Sequence, residues 1–266
     1  MRKIFGWTAI AVLAGGFLLA GVTGCKSNDL KQSAEGNAAS ATPAPASLDP
    51  NTLGMVSGTI HFQGKAPASV KIDMSMDPVC SMMGGNNFAE QYAVHDGKLA
   101  NVYVYIKSGP PAAMSATRAV GSPIVVDQIG CKYVPHVVAV MRGGSVEFRN
   151  SDSTMHNVHT LPTAPGSQQI DISQGPKGTP QIKQFNQTEV MIPVRCNNHP
   201  WMNAFINVSA TPFFAVTGAD GHFELSGLPA GTYTLAAVHE KMGEQTLTVT
   251  IEPKQTAQAD FSFSAK

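Results

Sequence analysis

Hydrophobic and polar residues alternate with a period of two along much of the chain from residue 54 onward. Val56, Gly58, Ile60 and Phe62 alternate with more polar neighbours, which is typical of a strand with one buried face. No segment has a sustained period of 3.6, and turns such as Asp96-Gly97 separate the apolar runs. The pattern therefore predicts an all-β protein, most simply a β-sandwich. Further strands are predicted at Asn101–Ile106, Val137–Val140, Val146–Phe148, Glu189–Ile192, Ala204–Val208, His222–Leu225, Tyr233–Val238 and Thr246–Ile251.

The N-terminus has the composition of a processing segment rather than of a folded element. Arg2 and Lys3 precede the apolar run 4–20, and the small residues of 21–24 end at Cys25. This pattern resembles a bacterial lipobox, which implies that residues 1–24 are a lipoprotein signal peptide and that Cys25 is lipidated. An uncleaved membrane helix and an ordinary signal peptide are the alternatives.

Residues 25–53 are predicted to be the lipidated cysteine followed by a flexible tether. The stretch is rich in Ala, Ser, Asn, Thr and Pro, a composition that buries too little apolar surface to offset the entropy of ordering. Lys26, rather than Asp, follows the cysteine. By resemblance to Gram-negative lipoproteins, the expected localisation is the cell envelope, lipid-anchored to the outer membrane and facing the periplasm.

Charge gives no reason to expect a nucleic acid as partner. Only 14% of the 266 residues are charged, and Lys+Arg equals Asp+Glu at 18 each. The 25 Gly and 18 Pro are consistent with many turns between strands.

The C-terminal part predicts a hairpin followed by a Gly/Pro turn into another strand. The hairpin covers 215–225 with a turn at Asp220-Gly221, and the second turn lies at 227–231. This arrangement resembles the carboxypeptidase regulatory-like domain, a small transthyretin-like β-sandwich, whose first two strands would correspond to 56–64 and 102–106. The resemblance implies a discontinuous domain of residues 54–119 and 211–266, with residues 120–210 inserted. Two consecutive domains with a boundary near Ser209 are the alternative.

Two segments carry candidate metal chemistry. The first contains His156-Asn157-Val158-His159, and the second is Cys196-Asn197-Asn198-His199-Pro200-Trp201-Met202. Together they resemble the type 1 copper site of cupredoxins, most closely that of amicyanins, over about Val134 to Val208. The resemblance implies a Greek-key β-sandwich at 120–210 and one copper ion bound by His156, Cys196, His199 and Met202.

The chemistry of copper explains this residue set. One thiolate and two imidazoles serve both Cu(I) and Cu(II), and a distant thioether tunes the potential. Three ligands within seven residues need a tight loop between two strands, and the remaining histidine must come from a separate strand. By the same resemblance, Asn157 would hydrogen-bond near the Cys196 sulfur and connect the two loops.

The chain contains four cysteines. If Cys25 is acylated and Cys196 binds copper, Cys80 and Cys131 remain, and a disulfide between them is predicted. It would close a loop of about 50 residues and stabilise the fold by roughly 2–4 kcal/mol. The alternative is a second soft-metal site formed by Cys80 with the methionines around it, which are Met74, Met76, Met82 and Met83.

The remaining candidate histidines are predicted to be polar or hydrogen-bonded structural residues. His159 follows His156 by three positions, which places it on the opposite face of a strand. His136 and His239 have no assigned role.

The sequence predicts a binding protein rather than an enzyme. It contains no nucleophile–His–acid motif and no Gly-rich phosphate loop. The resemblance implies a one-electron carrier with a transient redox partner, which docks on an apolar patch around a partly exposed His199. The patch would comprise Pro200, Trp201, Ala204 and Phe205. The alternatives are a copper-binding or delivery protein without a relay role, and a surface adhesion or carbohydrate-binding module.

Overall fold

The computed structural model of the protein describes residues 49–83 and 87–265. The predicted signal peptide, Cys25 and most of the tether lie outside the described residues. Nearly every described element is a strand, so the predicted all-β fold class is confirmed. No helix among these residues is both long enough and apolar enough to span a bilayer. The helical elements are a 3-10 turn at Pro50–Thr52, α1 at Pro78–Met82 and α2 at Pro111–Met114.

One pair of sheets is built from strands at both ends of the described chain; we call it the terminal module. Its larger sheet contains β1 (Gly54–Phe62), β2 (Val94–His95), β3 (Lys98–Leu99), β15 (His222–Leu228), β18 (Thr256–Gln258) and β19 (Phe261–Phe263). Its smaller sheet contains β4 (Tyr103–Ser108), β14 (Phe214–Val216), β16 (Gly231–His239) and β17 (Gly243–Ile251).

The strands between them form a second pair of sheets, which we call the central module. Its five-stranded sheet has the order β10-β9-β12-β13-β7, and its four-stranded sheet has the order β11-β8-β5-β6. The first sheet contains β7 (Val137–Met141), β9 (His156–Thr160), β10 (Asp171–Gln174), β12 (Glu189–Arg195) and β13 (Asn203–Ser209). The second contains β5 (Ile124–Ile129), β6 (Lys132–Val134), β8 (Ser145–Asn150) and β11 (Gln181–Gln184).

Each module has its own hydrophobic core between its two sheets. In the terminal module, Val56 and Ile60 of β1 share a buried cluster with Val104 and Leu235 of the smaller sheet. In the central module, Phe148 of β8 belongs to a second cluster with Val158 and Ile206 of the five-stranded sheet and with Cys196 and Met202, which lie between β12 and β13. The domain boundaries at 119/120 and 210/211 remain a prediction.

Strand β1 shows how the alternating sequence sets the packing of the terminal module. Its residues are alternately buried and half-buried along all nine positions, as the period of two predicts. At Gly58 a Cβ atom would lie 1.9 Å from the carbonyl oxygen of Ala259, so only glycine fits this close approach.

The connection between β1 and β2 is long and leaves the sheet. It includes α1, whose first turn is capped by the Asp77 side chain and carries Pro78. We call residues 72–83 the cap, because this segment covers part of the site described next.

Candidate metal centre

His156 is the first residue of β9 and is completely buried. The loop before it, 150–155, is held by Asn150, whose side-chain amide donates to the carbonyls of Thr154 (2.9 Å), Gln174 and Gly175. This network fixes where β9 begins, and therefore where the imidazole enters the core.

The second segment is the turn between β12 and β13, which pair antiparallel up to Arg195 opposite Asn203. Two backbone hydrogen bonds close the turn, from the Met202 N–H to the His199 carbonyl (2.9 Å) and from the Cys196 N–H to the Met202 carbonyl (3.3 Å). Cys196, His199 and Met202 are all buried, with Met202 1% exposed. The closed turn thus directs all three side chains into the end of the sandwich.

The two segments bring three potential ligand atoms together. The Nδ1 atoms of His156 and His199 are 3.0 Å apart, and the Cys196 Sγ lies 3.6 Å from the His199 Nδ1. Sγ and one nitrogen of each ring all lie within 4.8 Å of one another. A thiolate and two imidazole nitrogens are ligands that suit copper, whereas Mg²⁺ and Ca²⁺ prefer oxygen, so the residues present fit a copper ion.

The thiol of Cys196 is favoured in its ionised form. Burial raises its pKa, but hydrogen bonds with His156 and with the backbone N–H groups of Asn157 and Asn198 outweigh burial and lower the pKa to about 6. Because the thiolate is the metal-binding form of cysteine, this side chain is ready to bind at neutral pH.

We call the Nε2 atoms of His156 and His199 their outer nitrogens, because Nδ1 of each ring faces the cluster. The outer nitrogen of His156 is paired with a carboxylate from the loop that precedes it. His156 Nε2 lies 2.9 Å from Asp152 Oδ2, and Asp152 also accepts the N–H groups of Gly130 and Cys131, each at 2.8 Å. Burial lowers the pKa of His156, but the hydrogen bonds with Asp152 and Cys196 raise it to about 9. Asp152 therefore holds the ring with Nδ1 facing the other two ligand atoms.

The outer nitrogen of His199 is also paired with a carboxylate, but this one belongs to the cap. His199 Nε2 lies 3.0 Å from Asp77 Oδ2 and 3.8 Å from Cys80 Sγ. The Trp201 ring packs against the imidazole with its centroid 5.1 Å away. His199 is only 3% exposed, so the expectation of a partly exposed His199 is wrong: the cap occupies the space where solvent was expected.

Asn157 lies where the two segments meet. Its N–H donates to Cys196 Sγ (3.3 Å), and its side-chain oxygen accepts the Asn197 N–H (3.3 Å). The side-chain amide also donates to Asp171 at 2.7 Å. These bonds fix the position of the sulfur relative to β9.

Cys80 and Cys131, which are 51 positions apart in the sequence, form a disulfide. Both are completely buried in a small cluster with Met74. Because Cys80 uses its sulfur in this bond, it does not act as the thiolate of a second soft-metal site. The disulfide instead attaches the cap to the turn between β5 and β6.

The other histidines lie outside the three-atom cluster. His159 Nδ1 is 3.0 Å from Asn197 Oδ1 on the surface side of β9. His136 Nε2 forms a buried hydrogen bond with Glu240, which follows β16 of the terminal module. His239 is 1% exposed, and its Nε2 has no hydrogen-bond partner among the described residues.

Sequence reasoning missed both carboxylates. Asp152 had a local signal, since it precedes His156 by four residues in the same loop. Asp77 had a signal only for a helix start, as an N-cap residue before Pro78. Nothing in that motif indicates contact with a histidine 122 positions away.

Comparison with known families gives one match. Residues 194–264 match the carboxypeptidase regulatory-like domain, which confirms that resemblance for this part of the chain. The match starts within β12, so it includes the Cys196–Met202 turn and β13, which pack in the central module. No curated protein matches the chain.

Several solved structures are weakly similar. A Cu(I) form of an amicyanin variant shares 22% identity over 40% of this chain and 98% of that chain, with a TM-score of 0.30. A purple cupredoxin from Nitrosopumilus maritimus shares 19% identity over 32% and 99%, with a TM-score of 0.27. A copper-containing nitrite reductase from Thermus scotoductus SA-01 shares 23% identity over 38% of this chain, with a TM-score of 0.31. The chain spans 25% of the length of that reductase.

Proposed function

We propose that the protein binds one copper ion through His156, Cys196, His199 and Met202 and acts as a one-electron carrier, not as an enzyme. The observation that carries the proposal is the convergence of Cys196 Sγ with one nitrogen of each histidine inside a buried end of the central module. A bound copper ion would supply the Cu(II)/Cu(I) couple.

The chain's own residues support this function in two ways. The lowered pKa of Cys196 makes the thiolate available, and the outer hydrogen bonds of both histidines hold their rings in place. Ligands fixed by the fold rather than by the metal need little rearrangement when the metal changes charge. Such a site favours electron exchange over storage of a loosely held ion.

Partner access must differ from the predicted route, because the cap covers His199. Trp201 is half-buried and packs on the His199 ring, and its indole N–H donates to the Cys131 carbonyl (3.0 Å). We propose that a transient redox partner approaches at the Trp201 ring.

Attachment to the outer membrane through Cys25 is part of the same proposal. Replacing Cys25 with Ala is expected to release the protein into the soluble envelope fraction.

The test is the optical and EPR spectrum of the Cu(II)-loaded protein beside Cys196→Ser. Wild type is expected to show an intense visible band from thiolate-to-copper charge transfer and to bind one copper per chain. Cys196→Ser is expected to lose the band, and His159→Gln, which changes a histidine outside the cluster, is expected to keep it. A wild type without the band, or a band that survives in Cys196→Ser, would contradict the proposal.

The burial of His199 favours a second candidate, a protein that retains or delivers copper without relaying electrons. His199 is buried beneath a cap that a disulfide holds in place, and we expect this cover to slow the entry and release of an ion. Voltammetry separates the two. A reversible one-electron response supports the carrier, whereas tight copper binding without such a response supports retention.

A further inference from the structure

Asp77 uses its two carboxylate oxygens for different tasks. Oδ1 accepts the N–H groups of Val79 (2.7 Å) and Cys80 (3.1 Å), which caps the first turn of α1. This leaves Oδ2 facing the metal centre. The helix cap therefore fixes the direction of the carboxylate before any contact with His199 is counted.

The second oxygen connects both ligand segments. Oδ2 lies 3.0 Å from His199 Nε2 and accepts the Thr154 hydroxyl, also at 3.0 Å. Thr154 lies in the loop that leads into His156. Asp77 Oδ2 thus contacts both ligand segments: the His199 ring in one, and the loop that precedes His156 in the other.

The cap is held firmly enough for this contact to matter. The Cys80–Cys131 disulfide lies next to the hydrogen bond, and Met74 and Cys80 are buried. Among the described residues, no Lys or Arg lies within ion-pair distance of Asp77. No Lys or Arg of the described residues therefore neutralises the Asp77 carboxylate, and its charge acts on His199 and on an ion bound by that ring.

We propose that Asp77 is a positioning residue of the metal centre, and the proposal rests on the copper function above. Its carboxylate keeps the His199 proton on Nε2, so that the Nδ1 lone pair points at the metal. Its charge also stabilises a divalent ion more than a monovalent one, because Coulomb attraction scales with the charge of the ion. Asp77 thus shifts the centre toward Cu(II) and lowers its reduction potential.

The test compares Asp77→Asn with Asp73→Asn. Asn caps helices as well as Asp does, so α1 is retained while the charge is lost. Asp73 is an exposed residue of the same segment that caps a local turn at Ser75 (2.9 Å) and serves as the matched control. Affinities for Cu(I) and for Cu(II) are measured separately by competition with chelators of known strength, and the potential is measured by voltammetry.

In Asp77→Asn the ratio of Cu(II) to Cu(I) affinity is expected to fall at least tenfold, which raises the potential by about 59 mV per factor of ten. Asp73→Asn is expected to stay within twofold of wild type. An Asp77→Asn ratio within twofold of Asp73→Asn would overturn the assignment.

Nitrogen NMR of the metal-free protein gives an independent readout. The His199 ring is expected to carry its proton on Nε2 in wild type and to lose this preference in Asp77→Ala. A wild-type ring protonated on Nδ1 alone would overturn the proposal. If the thiolate band forms in every variant but the ratio of Cu(II) to Cu(I) affinity does not change, only the role assigned to Asp77 is wrong. If wild type itself lacks the band, the copper function is wrong.

Discussion

The central and terminal modules each bury a histidine completely, and they do so with opposite electrostatic results. His156 of the central module is 0% exposed, pairs with Asp152 and has its pKa raised to about 9. His239 of the terminal module is 1% exposed and has its pKa lowered to about 4. Burial lowers the pKa of both rings. At His156 the hydrogen bonds with Asp152 and Cys196 outweigh burial, whereas at His239 the nearby charge of Glu240 does not.

The comparison shows how the two candidate ligand histidines differ from His239, although a carboxylate partner alone does not mark a ligand, because His136 also pairs with Glu240. Burial alone favours the neutral ring, and for His239 burial is the largest cause of the lowered pKa. A carboxylate on the outer nitrogen fixes both the tautomer and the ring orientation. His156 and His199 each have such a carboxylate, whereas His239 Nε2 has no hydrogen-bond partner in the described part of the chain.

Removing the carboxylate from His156 is expected to give the largest effect. Asp152→Ala breaks a buried pair and leaves the N–H groups of Gly130 and Cys131 without an acceptor. We expect the free energy of unfolding of the metal-free protein to fall by about 3–5 kcal/mol, measured by urea denaturation. Asp152→Asn, which keeps an acceptor oxygen, should lose less. Equal losses in both variants would show that the charge, rather than the hydrogen bonds, dominates.

Separating the cap from the central module is expected to be the next largest effect. The double variant Cys80→Ser/Cys131→Ser removes the covalent link beside His199 but leaves the Asp152 pair intact. The free energy of unfolding should fall by about 2–4 kcal/mol. Copper should then dissociate faster into a chelator. An unchanged rate of dissociation would show that the cap does not limit access.

Acid is expected to destabilise the folded protein through His239. His239 has a pKa of about 4 in the folded protein, whereas its ordinary pKa is 6.5. Between these two values the unfolded chain binds a proton that the folded protein does not, so the free energy of unfolding falls as the pH drops from 6.5 toward 4. At pH 5 the loss amounts to about 2 kcal/mol. His239→Gln should flatten this part of the pH profile, whereas His95→Gln, at an exposed position of β2, should leave it unchanged. A wild-type profile that is flat between pH 6.5 and 4 would contradict the interpretation.

The smallest effect is expected to separate the two candidate ligand histidines. The hydrogen bond with His156 lowers the Cys196 pKa more than the hydrogen bond with His199 does. His156→Ala should therefore raise the thiol pKa of the metal-free protein further than His199→Ala. Ultraviolet titration of the thiolate, with Cys196→Ser as the blank, measures both. The reverse order would place the dominant contact at His199.

The ligand segments were predictable because their information is local. Cys196, His199 and Met202 lie within seven residues between two apolar strands, and the structure places them in one closed turn. Asp77 was not predictable in the same way, since its contact joins two segments that are far apart in the chain. The expected exposure of His199 was wrong for that reason.

The strands were likewise predictable only where their own residues carry a hydrophobic pattern. Long alternating segments such as β1 and β17 were predicted from their pattern. The edge strands β10 and β11 were missed, because few of their residues are buried and their sequences are mostly polar. Strand β11 lies at one end of its sheet with half of its residues exposed, so its pairing with β8 leaves almost no hydrophobic signal.

The cap has a consequence for how this molecule can be divided. A fragment cut at residues 119 and 210 would keep all four proposed ligands but would lose Asp77 and Cys80. Cys131 would then become a second free sulfhydryl within reach of oxidants, and the imidazole of His199 would lie open to water. The ligands belong to one stretch of polypeptide, yet the environment that completes them is assembled from two.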